Sequence, residues 1–286
     1  MLAGRWAPVD RRDGGVVTEL PGWLPQGVDI TVPNASRMYD YALGGYHNFE
    51  VDRRFWAQVE KLMPQARFVA YANRAFLGRA VRWLVDAGVR QFLDIGSGIP
   101  TLGNVHEVAQ RAAADARVVY VDIDSIAVEQ SRSILAGSPR ALAIQGDLRR
   151  PDEILYHPDV LELLDFSQPV AVLAVAVLHF IPDTDDPAGI IRRLSEPLVS
   201  GSYLAVSHLG PEPDPELREA QDRVRRLYES TPTPVVVRTV DEVTALLGGL
   251  ELIEPGVTAA TNWHPDPDAG DDSAQPTALV AVARKP

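Results

Sequence analysis

The chain of 286 residues is longer than one ordinary domain, and its 46% hydrophobic and 23% charged residues are normal for a folded protein. Its 27 basic and 39 acidic residues give a formal net charge of −12. That argues against a nucleic-acid partner held by a broadly basic surface, and leaves room for a small cationic or neutral ligand. There is no cysteine, so disulfides, thiolate metal sites and cysteine nucleophiles are excluded. The N-terminal stretch has no apolar core of the secretory kind, and no run approaches the ~18 apolar residues of a membrane span. The expected location is the cytoplasm, with no membrane partner.

Residues 1–29 are rich in Gly, Pro and charge without a period, and read as an irregular extension. The next stretch, from Pro33 to Phe49, mixes aromatics, glycines and polar groups too densely for plain helix or plain linker. Helices are expected at 51–63 and 66–87, the second closed by Gly88. Residues 30–88 thus form an N-terminal helical segment. From Val89 the rhythm changes to short β-branched runs alternating with helical stretches. Strands are expected at 91–95, 118–122, 141–145, 170–177 and 202–207, with helices at 103–114, 125–135, 152–164 and 188–196 between them. This alternation predicts a parallel sheet covered on both faces, a core spanning 89–286. Further helices are expected at 215–228 and 240–247. Two late strands, 251–257 and 278–284, predict an antiparallel pair at the sheet edge, joined by a loop over 259–277 rich in Asp, Pro and Gly.

The strongest local signal is Asp94-Ile95-Gly96-Ser97-Gly98, where an apolar strand ends in an acid and then Gly-x-Gly. Glycines at such a turn let a ligand approach the backbone closely. A dinucleotide site would carry a third glycine where Thr101 stands, and Asp94 would repel a pyrophosphate but suit a cationic group. About 25 residues later the second strand ends in Asp122-Ile123-Asp124, near the spacing at which an acid meets a ribose diol. Asp122 is the choice for the diol and Ile123 for an adenine face. Asp124 is the alternative, or a helix cap. The third strand ends in Gly146-Asp147-Leu148, where an acid can accept from an exocyclic amine. The fourth ends before His179, which sits near the predicted crevice either as a core residue or as a base.

The series DIGSGIP, YVDID, GDL and VAVLHFIP is similar to the motif series of class I S-adenosylmethionine-dependent methyltransferases. The upstream run from Tyr39 to Phe49 matches a Tyr-Asp-Tyr-x-Leu-Gly-Gly-x-x-Asn-Phe signature. Together they resemble an actinobacterial S-adenosyl methyltransferase family long catalogued as a domain of unknown function. The resemblance implies a Rossmann-like α/β fold, with a seven-stranded, mostly parallel sheet, an antiparallel last strand and an N-terminal helical lid. It implies S-adenosylmethionine as cofactor. Asp94, Gly96 and Gly98 would surround the methionine moiety, Asp122 the ribose, and Asp147 and Leu148 the adenine. Ala174 and Val175 would lie beside the methionine carboxylate or sulfonium, with Arg37, Tyr39 and Asn48 folding over from the lid. Pro100 stands where many such enzymes have a third glycine, and is acceptable in a first helical turn.

For an oxygen nucleophile, the candidate bases are Tyr39, Tyr41, His47, His179 and His208, with His179 and Tyr39 put forward as catalytic. The histidines never pair at i, i+4, and no metal site is expected. The expected activity is methyl transfer to a small-molecule acceptor. A silent sensor that binds S-adenosylmethionine or its demethylated product is the alternative, and a nicotinamide oxidoreductase is disfavoured by Asp94 and Thr101. The acceptor pocket is expected among the N-terminal segment, residues 208–239 and the 259–277 loop, with Trp263 and His264 either lining it or anchoring the loop. An open sheet edge and the N-terminal arm leave room for a homodimer.

Overall fold

A computed structural model describes residues 29–99, 103–266 and 277–286. The readings made for residues 1–28, for Pro100 and Thr101, and for residues 267–276 of the late loop lie outside the described residues. Three helices come first: α1 (Ala35–Ala42), α2 (Glu50–Leu62) and α3 (Ala66–Asp86). The sheet then builds through β1 (Gln91–Ile95), β2 (Arg117–Asp122), β3 (Ala141–Gln145), β4 (Ala171–Ala174) and β5 (Tyr203–Leu209). It finishes with β6 (Glu251–Leu252), β7 (Thr258–Ala259) and β8 (Ala278–Arg284). The order is β3-β2-β1-β4-β5-β8-β6, with β7 also pairing β8. The first five strands are mutually parallel, and β8 runs antiparallel to β5, β6 and β7. The mostly parallel sheet with an antiparallel final strand is therefore present.

The strands alternate strictly between two apolar layers. Phe92, Val118, Leu173, Ala205 and Val282 pack into one; Leu93, Val119, Val172, Leu204 and Ala281 pack into the other. A strand that buries both faces needs apolar residues at every position, which is why these segments read as continuous runs. The first layer is covered by α3 and α4 (Val105–Ala112), with α5 (Ser125–Ile134) beside them. The second is covered by α6 (Pro151–Leu155), α7 (Pro158–Leu163) and α8 (Pro187–Ser195). Outside these layers lie α9 (Pro215–Tyr228) and α10 (Val240–Leu246). Among the described residues no helix is long and apolar enough to cross a membrane.

Three expected elements differ, each for a local reason. The single helix at 152–164 is two, because Pro158 lacks the N–H to continue α6 and instead starts α7, capped by His157. The strand at 170–177 stops at Ala174, and Ala176 takes φ 60° as the chain turns away over the sheet. The strand at 251–257 is cut to β6, which ends ahead of the Glu254-Pro255 turn, and β7 follows beyond it at Thr258–Ala259, which makes eight strands where seven were expected. The dense Pro33–Phe49 stretch resolves into helix α1, capped by Asn34, followed by a tight turn.

Trp263 anchors the late loop. It is fully buried, edge-on to Phe76 (5.4 Å) and Trp83 (6.1 Å) of α3. Arg79 fixes the same loop by donating to the Trp263 and Ala260 carbonyls. Of the two roles open to Trp263, the structure shows the anchor. Trp263→Ala is expected to cost ~3–5 kcal/mol of stability, the usual range for emptying an aromatic core site, read from urea unfolding monitored by circular dichroism.

Candidate active site

A cavity of about 820 Å³ opens at the carboxyl ends of β1 to β5, under α1 and the start of α3. It includes the point where the strand order reverses between β1 and β4, the usual crevice of open α/β sheets. Its size falls within the range of small-molecule sites.

Its floor is the glycine turn after β1. Gly96 has φ 71°, and a Cβ there would lie 2.5 Å from Val177. Gly98 has φ 65° with no heavy atom within 4 Å of where its Cβ would be, so the backbone is bare toward the cavity. The turn is tied to β2: Gly96 N and Ser97 N donate to the Val121 carbonyl, at 2.8 and 3.1 Å. Gly98 N donates to Asp122 Oδ2 (2.7 Å). The other Asp122 oxygen accepts from Asp124 N at 2.8 Å. Ser36 Oγ of α1 reaches the same carboxylate at 3.4 Å. Asp124 itself caps α5 through Ile126 N.

The acids here are unusual in being buried. Asp94 and Asp122 are both almost wholly buried and both line the cavity. Burial raises Asp94 to about 7; the Arg74 charge opposes the rise and Asp122 adds to it. Burial also raises Asp122 to about 6, against the hydrogen bonds from Asp124 and Gly98. Asp147 differs. Burial pushes it up, but its bonds to the Arg149 side chain and backbone outweigh this and hold it below its ordinary value. Next to Asp124, Ile123 is half exposed on the cavity wall, one of few large apolar side chains left uncovered.

The upstream signature proves to be a set of supports. Asp40 is buried and accepts from His47 N (2.8 Å) and Asn48 Nδ2 (2.8 Å). A Cβ on Gly45 would fall 2.0 Å from the Asp40 carboxylate, so only glycine fits. Arg37 is buried, ion-paired to Asp52 of α2 at 3.0 Å and donating to the Val32 carbonyl. Tyr39 donates to the Ala70 carbonyl (3.1 Å) and accepts from Asn73 (2.9 Å), locking α1 onto α3.

At the far wall, His179 is buried, and neither ring nitrogen has a hydrogen-bond partner among the described residues. Burial, then the neighbouring His208 ring and the Arg238 charge, push it down to about 3, so the ring is neutral. His208 Nε2 lies 2.7 Å from Arg238 Nη1. Its Nδ1 is 3.0 Å from the Leu209 carbonyl.

Of the residues singled out from the sequence, the structure brings Arg37, Tyr39, Asp94, Gly96, Gly98, Asp122, Ile123, Asp147, Leu148, Val175 and His179 to the lining of one cavity. Asn48 and Ala174 do not line it; Asn48 is spent on Asp40, and Ala174 is packed inside the sheet. Sequence reasoning did not find Ser36, Arg74 or Arg238. Ser36 and Arg74 lie on helices with no chemical motif around them. Arg238 ends a Thr/Pro/Val stretch that gave no signal. Among the described residues no cluster of side chains could hold a metal ion.

The comparisons agree with this geometry. The sequence model of the S-adenosyl methyltransferase family matches residues 21–286. A DUF574-family protein from Streptomyces avermitilis is similar at 41% identity over 89% of this chain and 98% of its own, with a TM-score of 0.84. A candidate methyltransferase from Thermobifida fusca is similar at 38% identity over 93% of this chain and 99% of its own, with a TM-score of 0.86. No curated protein matches.

Gly96→Ala should strain both the positive φ and the contact with Val177, costing ~1–3 kcal/mol. A drop in denaturation midpoint with an unchanged slope is the expected result.

Proposed function

The chain belongs to the S-adenosyl methyltransferase family and has its mostly parallel α/β fold, and we propose that it moves a methyl group from S-adenosylmethionine to a small-molecule acceptor in the cavity at the strand ends. The observation that carries the proposal is the pair of buried carboxylates, Asp94 and Asp122, beside the bare backbone of Gly98. Two acids desolvated on one wall repel each other, and they suit a ligand that brings positive charge and hydroxyl donors to them. The residues present therefore fit the cofactor of the family.

Asp122 would accept from a ribose diol, with its position already fixed by Gly98 N and Asp124 N. Ile123 offers an apolar face for a purine. Asp147 would meet the purine edge, in exchange for part of its bonding to Arg149. Asp94 would face the amino group of the amino-acid end. The Arg74 guanidinium, whose charge already acts on Asp94, suits the carboxylate of that end. A sulfonium supplies an activated methyl with a neutral leaving group. The chain's part is to align acceptor and donor and to keep water out, which can be worth on the order of 7–11 kcal/mol. The lid reading places α1 and α2 over this site, α1 hinged on the Tyr39–Ala70 and Ser36–Asp122 bonds.

Titration calorimetry with S-adenosylmethionine, S-adenosylhomocysteine and NADH in parallel tests the cofactor class; binding of the first two alone is expected. Asp122→Ala should weaken that binding by roughly 1–3 kcal/mol, the scale of a charge-assisted hydrogen bond. Unchanged affinity in a folded variant would refute the ribose assignment.

The pH dependence follows from the raised acids. The ligand engages their ionised forms, which are lost as pH falls through about 7 for Asp94 and about 6 for Asp122. Affinity should fall by up to about tenfold per pH unit for each proton taken up. Near neutral pH, calorimetry in buffers of different ionisation enthalpy should show protons released on binding. The sign for stability is opposite: a raised acid stabilises the free protein at low pH and ceases to as pH rises through its folded value. Asp94→Asn should therefore raise the free protein's melting temperature above pH 7 while weakening cofactor binding.

A further inference from the structure

We propose that the part of the cavity away from the acids is the methyl-acceptor site, and that it takes a planar, uncharged aromatic molecule whose hydroxyl group hydrogen-bonds His179. The inference rests on the methyltransferase reading above and adds to it the chemical class of the acceptor.

The cavity is divided by chemistry. Its acids Asp94, Asp122, Asp124 and Asp147 line the end formed by β1 to β3, and Asp29 lines it ahead of α1. The opposite lobe is walled by Met38, Trp56, Val59, Phe180, Val224 and Tyr228, members of an apolar cluster separate from the two sheet layers. The Phe180 and Tyr228 rings stand 6.4 Å apart, tilted by 40°, and Phe55 packs edge-on behind Tyr228 at 5.0 Å. Aromatic walls of this kind favour a flat ring system, which gains edge and face contacts beyond its buried area.

The lobe also selects on charge. An anionic ligand would need a cation, but buried Arg37 of α1 is committed to Asp52 and the Val32 carbonyl, and Arg238, buried behind the cavity lining, to Asp183, His208 and the Ile181 carbonyl. Arg225 lines the cavity from α9, where it is partly exposed beside Asp222. An ammonium ligand would need a carboxylate, and among the described residues the acids lining the cavity stand at the ends of β1 to β3 and ahead of α1. A carboxylate brought here would be desolvated with only the solvent-screened Arg225, already beside Asp222, to meet it, and an ammonium would lie among apolar side chains; both states are costly.

One polar contact is left over, and it is specific. Arg238 can only donate, so His208 Nε2 is an acceptor and His208 Nδ1 carries the proton that goes to the Leu209 carbonyl. His208 is thereby fixed as a neutral ring. His179 stands edge-on to it, with ring centroids 6.0 Å apart, and its two nitrogens have no hydrogen-bond partner among the described residues. A neutral imidazole offers one lone pair, which suits a hydroxyl donor. On the lobe's wall the buried Trp56 indole N–H likewise has no acceptor among the described residues. In the transfer, the acceptor's oxygen forms the bond to the methyl carbon while the carbon–sulfur pair stays on sulfur. The hydroxyl proton, made acidic as that bond forms, passes to His179 and from there to water as the product leaves.

The test uses protein loaded with S-adenosylhomocysteine and four probes: 2-naphthol, 2-methoxynaphthalene, 2-naphthoate and cyclohexanol. Calorimetry should show 2-naphthol binding, 2-methoxynaphthalene binding about tenfold more weakly for loss of the hydroxyl donor, and no measurable binding of the other two. His179→Phe should bring 2-naphthol down to the level of its methyl ether. Val224→Trp, which fills the lobe from α9, should abolish 2-naphthol binding while S-adenosylhomocysteine affinity stays within about twofold. Naphthoate binding as tightly as 2-naphthol, or 2-naphthol binding unchanged in Val224→Trp, overturns the proposal. So does the absence of 2-naphthol binding to loaded wild-type protein. Failure of wild-type protein to bind S-adenosylhomocysteine would strike the cofactor reading instead, and the 2-naphthol titration of free wild type and Val224→Trp then decides the lobe alone.

Discussion

The carboxylate of Asp122 holds three separate pieces of chain at once. It fixes the glycine turn after β1 through Gly98 N, the turn into α5 through Asp124 N, and the first turn of α1 through Ser36. These segments are 24 and 86 residues from it in sequence on the two long-range sides. A single buried acid thus sets the distance between the floor of the site and its roof. It can do so because β2 is buried on both faces and ends at Asp122, which leaves the side chain almost wholly buried, open only toward the cavity. Desolvation makes the acid costly to ionise, and two backbone N–H donors offset part of that cost.

Asp94 shows the other half of the same design. It sits inside a strand whose other residues are all buried, and burial leaves it with a much raised proton affinity. An apolar residue would serve β1 better as part of a sheet. A buried acid whose desolvation outweighs the opposing Arg74 charge is a local violation of the rules that build the rest of the core, and such violations concentrate where function needs them. The two acids differ in how much support they receive, and their proton affinities follow: Asp122, with two backbone donors, stays lower than Asp94. Positive charge arriving on this wall relieves both.

Legibility in the sequence followed the physics of each element. The buried strands were plain, because a strand covered on both faces is apolar at every position and its ends are marked by Gly or Asp. Asp94, Gly96, Gly98 and Asp122 were legible for the same reason: polar or flexible residues stand out at the end of an apolar run. The run from Tyr39 to Phe49 was visible as a pattern but not as a function. Its residues are largely structural, since Asp40 binds the turn, Gly45 makes room for Asp40, and Asn48 reports back to it. Asn48 therefore lies beside the cavity rather than on it. The breaks at Pro158 and Glu254-Pro255 were under-read because a continuous apolar pattern hides a missing backbone donor.

Arg238 marks what local reading cannot reach. Its segment has no period and no motif, yet it runs back along the site: Val236 N donates to the His179 carbonyl and Arg238 N to the Leu209 carbonyl. These backbone bonds bring the guanidinium against His208 and two carbonyls of the 178–181 turn. No spacing rule connects residues 30 to 60 positions apart across a turn and a strand. The consequence is nevertheless chemical. Because Arg238 donates to His208, the proton on that ring is placed on the nitrogen facing Leu209, and the Arg238 charge adds to the burial that keeps His179 beside it neutral. The polarity of the far wall is thus set by a residue that the apolar lobe never touches, and the strand ends supply only the opposite, acidic half of the site.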